Sequence, residues 1–135
     1  MFSTYFWIAI GGALGSMGRY GVSRVFAFGF GETFPWGTLI VNVTGSFLIG
    51  LLAGLTSAPD GRFVVAPDMR QFLLVGLCGG YTTFSSFSLQ TLTLIRENDV
   101  VEAGSNVVLS VVLCLVFVWL GSIAASLINH ARSAG

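Results

Sequence analysis

Four long apolar runs, each set off by charged or turn-forming residues, constrain this chain more than any other feature. They cover about residues 5–28, 36–56, 69–95 and 103–128. A membrane-crossing helix needs about 20 predominantly apolar residues. Lipid offers the backbone no partner, so each run must close its own hydrogen bonds, as a helix does. The punctuation is turn-like. Gly29-Phe30-Gly31-Glu32-Thr33-Phe34-Pro35 separates the first two runs, and Pro59, Asp60, Gly61, Arg62, Pro67 and Asp68 precede the third. Arg96-Glu97-Asn98-Asp99 ends the third, and His130 and Arg132 follow the fourth. Four spans in 135 residues leave no room for a soluble domain. The expected fold is a single all-α integral membrane domain over residues 1–135, with four transmembrane helices. The first run does not read as a cleaved signal peptide: it is too long, lacks a basic residue before it and continues into glycines.

Composition narrows the function classes. Charged residues make up 9% of the chain, against about 25% in an ordinary soluble domain. Twelve Phe, three Trp and three Tyr rule out a disordered chain. Six basic residues balance six acidic ones, so no net charge invites nucleic acid. No Asp, Glu or Lys falls inside a run, which argues against a proton-coupled carboxylate relay. No phosphate-binding G-x-x-x-x-G-K-[ST] loop is present. Two cysteines and one histidine make no zinc set, so Cys78 and Cys114 read as packing residues. No His or acid is placed to activate a serine, so the chain does not read as an enzyme.

Basic residues near span ends normally set orientation. Here Arg62, Arg70 and Arg132 fall on the N-terminal side, and Arg19, Arg24 and Arg96 on the other. Two readings stay open: a weak bias with Arg19 buried, or a chain that inserts both ways and forms an antiparallel homodimer. Gly11, Gly15 and Gly18 in the first run, and Gly50 and Gly54 in the second, give small faces on which helices approach closely.

Polar residues inside the runs fall in stripes. Thr38, Asn42 and Ser46 recur every four residues in the second run, and Asn106, Ser110 and Cys114 do so in the fourth. Such stripes serve either as interhelical hydrogen bonds or as a polar track lining a narrow pathway. The third run reads Gly76-Leu77-Cys78-Gly79-Gly80-Tyr81-Thr82-Thr83-Phe84-Ser85-Ser86-Phe87-Ser88. A straight helix of about 27 residues would reach about 40 Å, beyond the hydrocarbon core of about 30 Å. Gly79-Gly80 followed by paired threonines suggests a break at mid-membrane. A break frees carbonyls, and freed carbonyls can bind a small cation. Phe84 and Phe87 share one side of the helix after it. Phenylalanines at this spacing commonly belong to a core. Yet ring edges are positive, and edges beside hydroxyl and amide donors suit a small, strongly hydrogen-bonding anion.

These residues bring the chain close to a known family. Residues 11–20 (GGALGSMGRY), 37–47 (GTLIVNVTGSF) and 79–88 (GGYTTFSSFS) resemble the fluoride channel family, Fluc or CrcB. The likeness spans nearly the whole chain. It implies a dual-topology homodimer in the cell (inner) membrane, with two antiparallel fluoride pores lined by both subunits. It further implies a fluoride pathway through Asn42, Phe84, Phe87, Ser88 and Ser110. Gly79 and Thr82 match positions whose backbone carbonyls hold a structural sodium ion at the dimer interface. Arg19 matches the arginine at the end of the first helix. Three positions depart from the pattern. Asn106 stands where some members carry an aromatic hydroxyl, Cys114 where some carry serine, and Ser86 where many carry threonine.

The resemblance thus implies passive fluoride export that lowers fluoride toxicity. Fluoride enters acidified cells as HF and dissociates inside. A negative-inside potential, worth about 2.3 kcal/mol per charge per 100 mV, can then expel it. A small proton-coupled multidrug exporter would need the missing membrane carboxylate. An accessory membrane subunit would leave the polar stripes without a task.

Overall fold

The computed structural model describes residues 1–31, 33–57 and 63–133, with residues 132 and 133 described by backbone alone. Glu32, the sequence-expected turn residues Pro59, Asp60, Gly61 and Arg62, and the side chain of Arg132 lie outside the described residues. Every described element is helical. Helix α1 spans Phe2–Phe30 and α2 spans Trp36–Leu55. A composite third rod follows: α3 (Pro67–Gln71), a π-helical stretch (Phe72–Cys78), α4 (Gly79–Tyr81) and α5 (Phe84–Arg96). Helix α6 spans Val100–Ser133.

Three of these rods are long and apolar enough to cross a membrane. They are Trp36–Leu55, Pro67–Arg96 and Val100–Ala131, with mean hydropathies of 1.9, 1.3 and 2.7. Helix α1, though 29 residues long, is not among them. Its six glycines and its two arginines, Arg19 and Arg24, dilute its apolar residues. Arg19 is half-buried.

The distribution of side chains is the reverse of a water-soluble fold. On α6, Val108, Leu115 and Trp119 point outward and are 60–64% exposed, while Asn106 is completely buried. Thr38, Thr83 and Ser110 are buried as well. An outer surface this apolar is costly in water and suited to hydrocarbon. Its buried polar groups must then find partners inside. The chain is thus a multi-pass membrane protein in its fold.

Small residues set the packing. Helix α2 packs most extensively along α6. There a Cβ on Gly50 would collide with the Val118 carbonyl oxygen, and one on Gly121 with that of Phe47. Helix α1 lies against the π-helical stretch and α4, with Gly11 and Gly15 as its buried residues. Its N-terminus is tied to α3, where Ser3 Oγ and Thr4 Oγ1 donate to the two carboxylate oxygens of Asp68 at 2.5 and 2.6 Å.

The third rod changes conformation at a different place from the one its glycines suggest. Gly79 is helical, with φ −65° and ψ −37°, and α4 continues through Gly80 to Tyr81. The extended residues are Thr82 (φ −79°, ψ 157°) and Thr83 (φ −151°, ψ 116°). The glycines allow close approach instead: a Cβ on Gly80 would come within 2.6 Å of the Gly12 carbonyl oxygen.

Candidate functional site

The extended pair Thr82–Thr83 is held from across the helix interface. Thr83 N–H donates to Asn42 Oδ1 at 2.7 Å, and Asn42 Nδ2 donates to the Thr83 carbonyl at 2.9 Å. In a continuous helix the Thr83 N–H would bond to the carbonyl four residues back, that of Gly79. Asn42 takes this proton and so releases the Gly79 carbonyl from the bond. Thr83 then starts the next helix. Its Oγ1 accepts from Ser86 N–H at 3.1 Å, the N-cap arrangement that threonine favours.

Starting α5 here sets the two rings. Phe84 and Phe87 lie with centroids 5.2 Å apart and planes tilted by 52°. Phe87 is buried at 8% exposure, whereas Phe84 is 77% exposed. Both line an open cleft of about 400 Å³ with Asn42, Ser46, Thr82, Thr83, Ser110 and Cys114. The cleft therefore brings Asn42, Phe84, Phe87 and Ser110 together from three rods. It also joins the lower parts of the two polar stripes, Asn42 and Ser46 from α2 with Ser110 and Cys114 from α6.

Other expected positions lie apart. Ser88 is exposed and donates to the Phe84 carbonyl of its own helix at 2.9 Å. Thr38 lines a second open cavity of about 510 Å³ with Arg24, Gln90, Thr93 and Glu97. One helical turn along α2 and α5 leads from one cavity to the other. Asn106 stands behind Ser110, at 2.9 Å from Thr91 Oγ1. This is the interhelical bonding that the stripe offered as one of its two readings, but its partner was not visible there, because Thr91 belongs to another helix.

The cleft offers donors without a fixed charge. After bonding to Thr83, Asn42 keeps one amide proton. The ring pair contributes positive edges. No group of three or more His, Cys, Asp and Glu residues able to hold a metal occurs among the described residues. The oxygens at the break are backbone carbonyls, which suit a hard cation. Cys78 O already accepts from Thr82 N–H and Thr82 Oγ1, each at 3.0 Å. Gly79 is exposed and Thr82 half-buried.

A helical, multi-pass membrane protein with an uncharged, largely apolar cleft that sets a few amide and hydroxyl groups beside two phenylalanines is the class that fold and site define. Comparison with known proteins narrows it. The family described as "CrcB-like protein, Camphor Resistance (CrcB)" matches residues 6–122, and the chain belongs to that family. It is 59% identical over 130 residues to a protein of Opitutus terrae named fluoride-specific ion channel FluC, covering 96% of this chain and 98% of that protein. Similar proteins of the same name occur in Rhodospirillum rubrum, 59% identical over 94% of this chain and 98% of that one, and in Methylocella silvestris, 54% identical over 96% and 98%.

Proposed function

We propose that this chain is a fluoride-selective channel that lets cytoplasmic fluoride leave the cell passively and so lowers its toxicity. The carrying observation is the cleft in which Asn42, Ser110 and the Phe84–Phe87 pair meet. The name shared by relatives that cover nearly the whole chain supports the choice of ion. A fluoride ion entering the cleft exchanges water for amide and hydroxyl protons and ring edges. With no cation to trap it, binding stays weak enough for release, as conduction requires. This is transport down a gradient, with no catalysis and no ATP.

The pathway is completed by a second copy. The cleft is open, and Phe84 presents most of its surface outward. Ser88, off the cleft of one protomer, joins the path only where two protomers meet. An antiparallel homodimer, inserted both ways into the inner membrane, accounts for the even split of arginines. Gly79 and Thr82 would lend backbone carbonyls to a sodium ion on the dimer axis, where the ion supplies a positive centre that holds the subunits together. Two carbonyls per protomer are fewer than the six or so oxygens a hard cation takes, so this site too requires both copies.

The test is fluoride efflux from liposomes holding the purified chain, under a potential set by potassium. Rapid fluoride loss with chloride retained is expected. Retention of fluoride would overturn the reading. A multidrug-type exporter would instead need a proton gradient to move its cargo.

A further inference from the structure

A chain of hydrogen bonds, buried at Asn106 and Ser110 and half-buried at Thr91, joins α5 to α6 behind the cleft, and its direction is fixed from one end. Thr91 Oγ1 donates to the Phe87 carbonyl at 2.8 Å. A hydroxyl has one proton, so Thr91 can only accept from its other neighbour. That neighbour is Asn106, whose Nδ2 donates to Thr91 Oγ1 at 2.9 Å. The amide must therefore turn its NH2 toward Thr91 and its Oδ1 away. Oδ1 can only accept, and Ser110 Oγ donates to it at 3.4 Å. The donations run one way, from Ser110 through Asn106 and Thr91 to the Phe87 carbonyl.

Of the three side chains, Ser110 alone lines the cleft. Asn106 is completely buried and Ser110 is 7% exposed. Ser110 thus turns lone pairs toward the cleft and keeps its proton withdrawn. An anion needs the opposite arrangement.

We propose that Asn106 is a positioning residue that sets fluoride affinity by holding the Ser110 proton on its Oδ1, so that Ser110 donates to the anion only after giving up that bond. The inference rests on the channel reading above. A separation of 3.4 Å lies at the weak end of hydrogen bonding, so the proton is released readily when an anion arrives and returns when it leaves. Asn106 in this way weakens anion binding and favours throughput.

The test measures fluoride efflux per folded protein against fluoride concentration in liposomes, separating half-saturating concentration from maximal rate. Thr91→Val keeps the shape of Thr91 but removes the acceptor that orients Asn106, so the amide can turn and free the Ser110 proton. The half-saturating concentration should fall roughly three- to tenfold, the worth of one neutral hydrogen bond, with no rise in maximal rate. Asn106→Leu, which removes the Oδ1 acceptor, should shift it the same way. Both shifts should vanish when Ser110→Ala is added. An equal shift with and without Ser110, or no shift in folded Thr91→Val, would overturn the proposal. Should neither variant fold, the wild-type chain still decides. The carbon-labelled side-chain carbonyl of Asn106 should change its magnetic resonance signal on adding fluoride, and an unchanged signal would overturn the proposal. Wild-type liposomes that retain fluoride would defeat the channel reading and this inference together. Fluoride release without a Ser110-dependent shift would defeat the inference alone.

Discussion

Asn42 and Thr83, 41 residues apart, exchange two hydrogen bonds, each using the other's donor and acceptor. The pairing gives Asn42 a structural task beside its place in the cleft. As a pore donor alone, Asn42 would lower flux on replacement by alanine and leave the fold unchanged. The geometry predicts a loss of stability too, about 2 kcal/mol or more, since two backbone groups at the break lose their partners. Thermal unfolding in detergent, run alongside efflux, checks this. An unchanged unfolding midpoint would mean the pairing holds nothing in place.

The α2–α6 contact predicts opposite fates for two glycines of one helix. In Gly121→Ala the new Cβ strikes the Phe47 carbonyl, and backbone cannot move aside cheaply; overpacking of this kind costs about 1–3 kcal/mol. At Gly104 a new Cβ would meet nothing within 4 Å. Gly104→Ala should gain about 0.5–1 kcal/mol from lost backbone freedom in the unfolded chain. Yields of folded protein and unfolding midpoints of the two variants give the comparison.

Gly79 separates the protomer from the assembly. Within one protomer a Cβ there comes no closer than 3.8 Å to the Leu74 carbonyl oxygen. Gly79→Leu should therefore leave the protomer folded while crowding the carbonyls proposed to hold sodium. Cross-linking in membranes should show fewer dimers, and efflux should fall with them. Thr82→Ser, which keeps the hydroxyl that bonds to Cys78, should be far milder. A Gly79→Leu chain that dimerises and conducts like wild type would remove the cation site from the account.

Dual insertion is the proposed reading of the three-against-three split of arginines. Reporters on the C-terminus should find both orientations in one cell population. Several lysines added there should bias insertion toward one, and wild-type reporters on one side only would contradict it.

Three of the four spans were legible because apolar residues persist for about 20 positions at a time, and lipid leaves no other reading; the first run, diluted by glycines and arginines, forms a helix that is not apolar enough to join them. The stripes of Asn42, Ser46, Ser110 and Cys114 were legible for a similar reason, since period four marks one helix face. The position of the break was less so. Glycines read as breakers, but Gly80 serves close packing against Gly12, and the chain extends at Thr82 and Thr83 because Asn42 captures the next helical proton. Thr83, a residue type favoured at N-caps, carried the signal that marks where α5 starts. The partner of Asn106 left no sequence signal. Thr91 lies 15 residues away on another helix, and only packing brings the two together.

In the proposed pathway, fluoride passes the cleft beside the ring edges of Phe84 and Phe87. Fluoride efflux per folded protein, measured side by side for wild type and Phe87→Ile, tests it most directly. Isoleucine fills much of the same space but carries no ring quadrupole. The account predicts a fall of roughly tenfold, the scale of one lost aromatic contact, with the protein still folded and assembled. If the rings only pack, the exchange is a tolerated core substitution, and wild-type efflux per folded protein in Phe87→Ile would contradict the account.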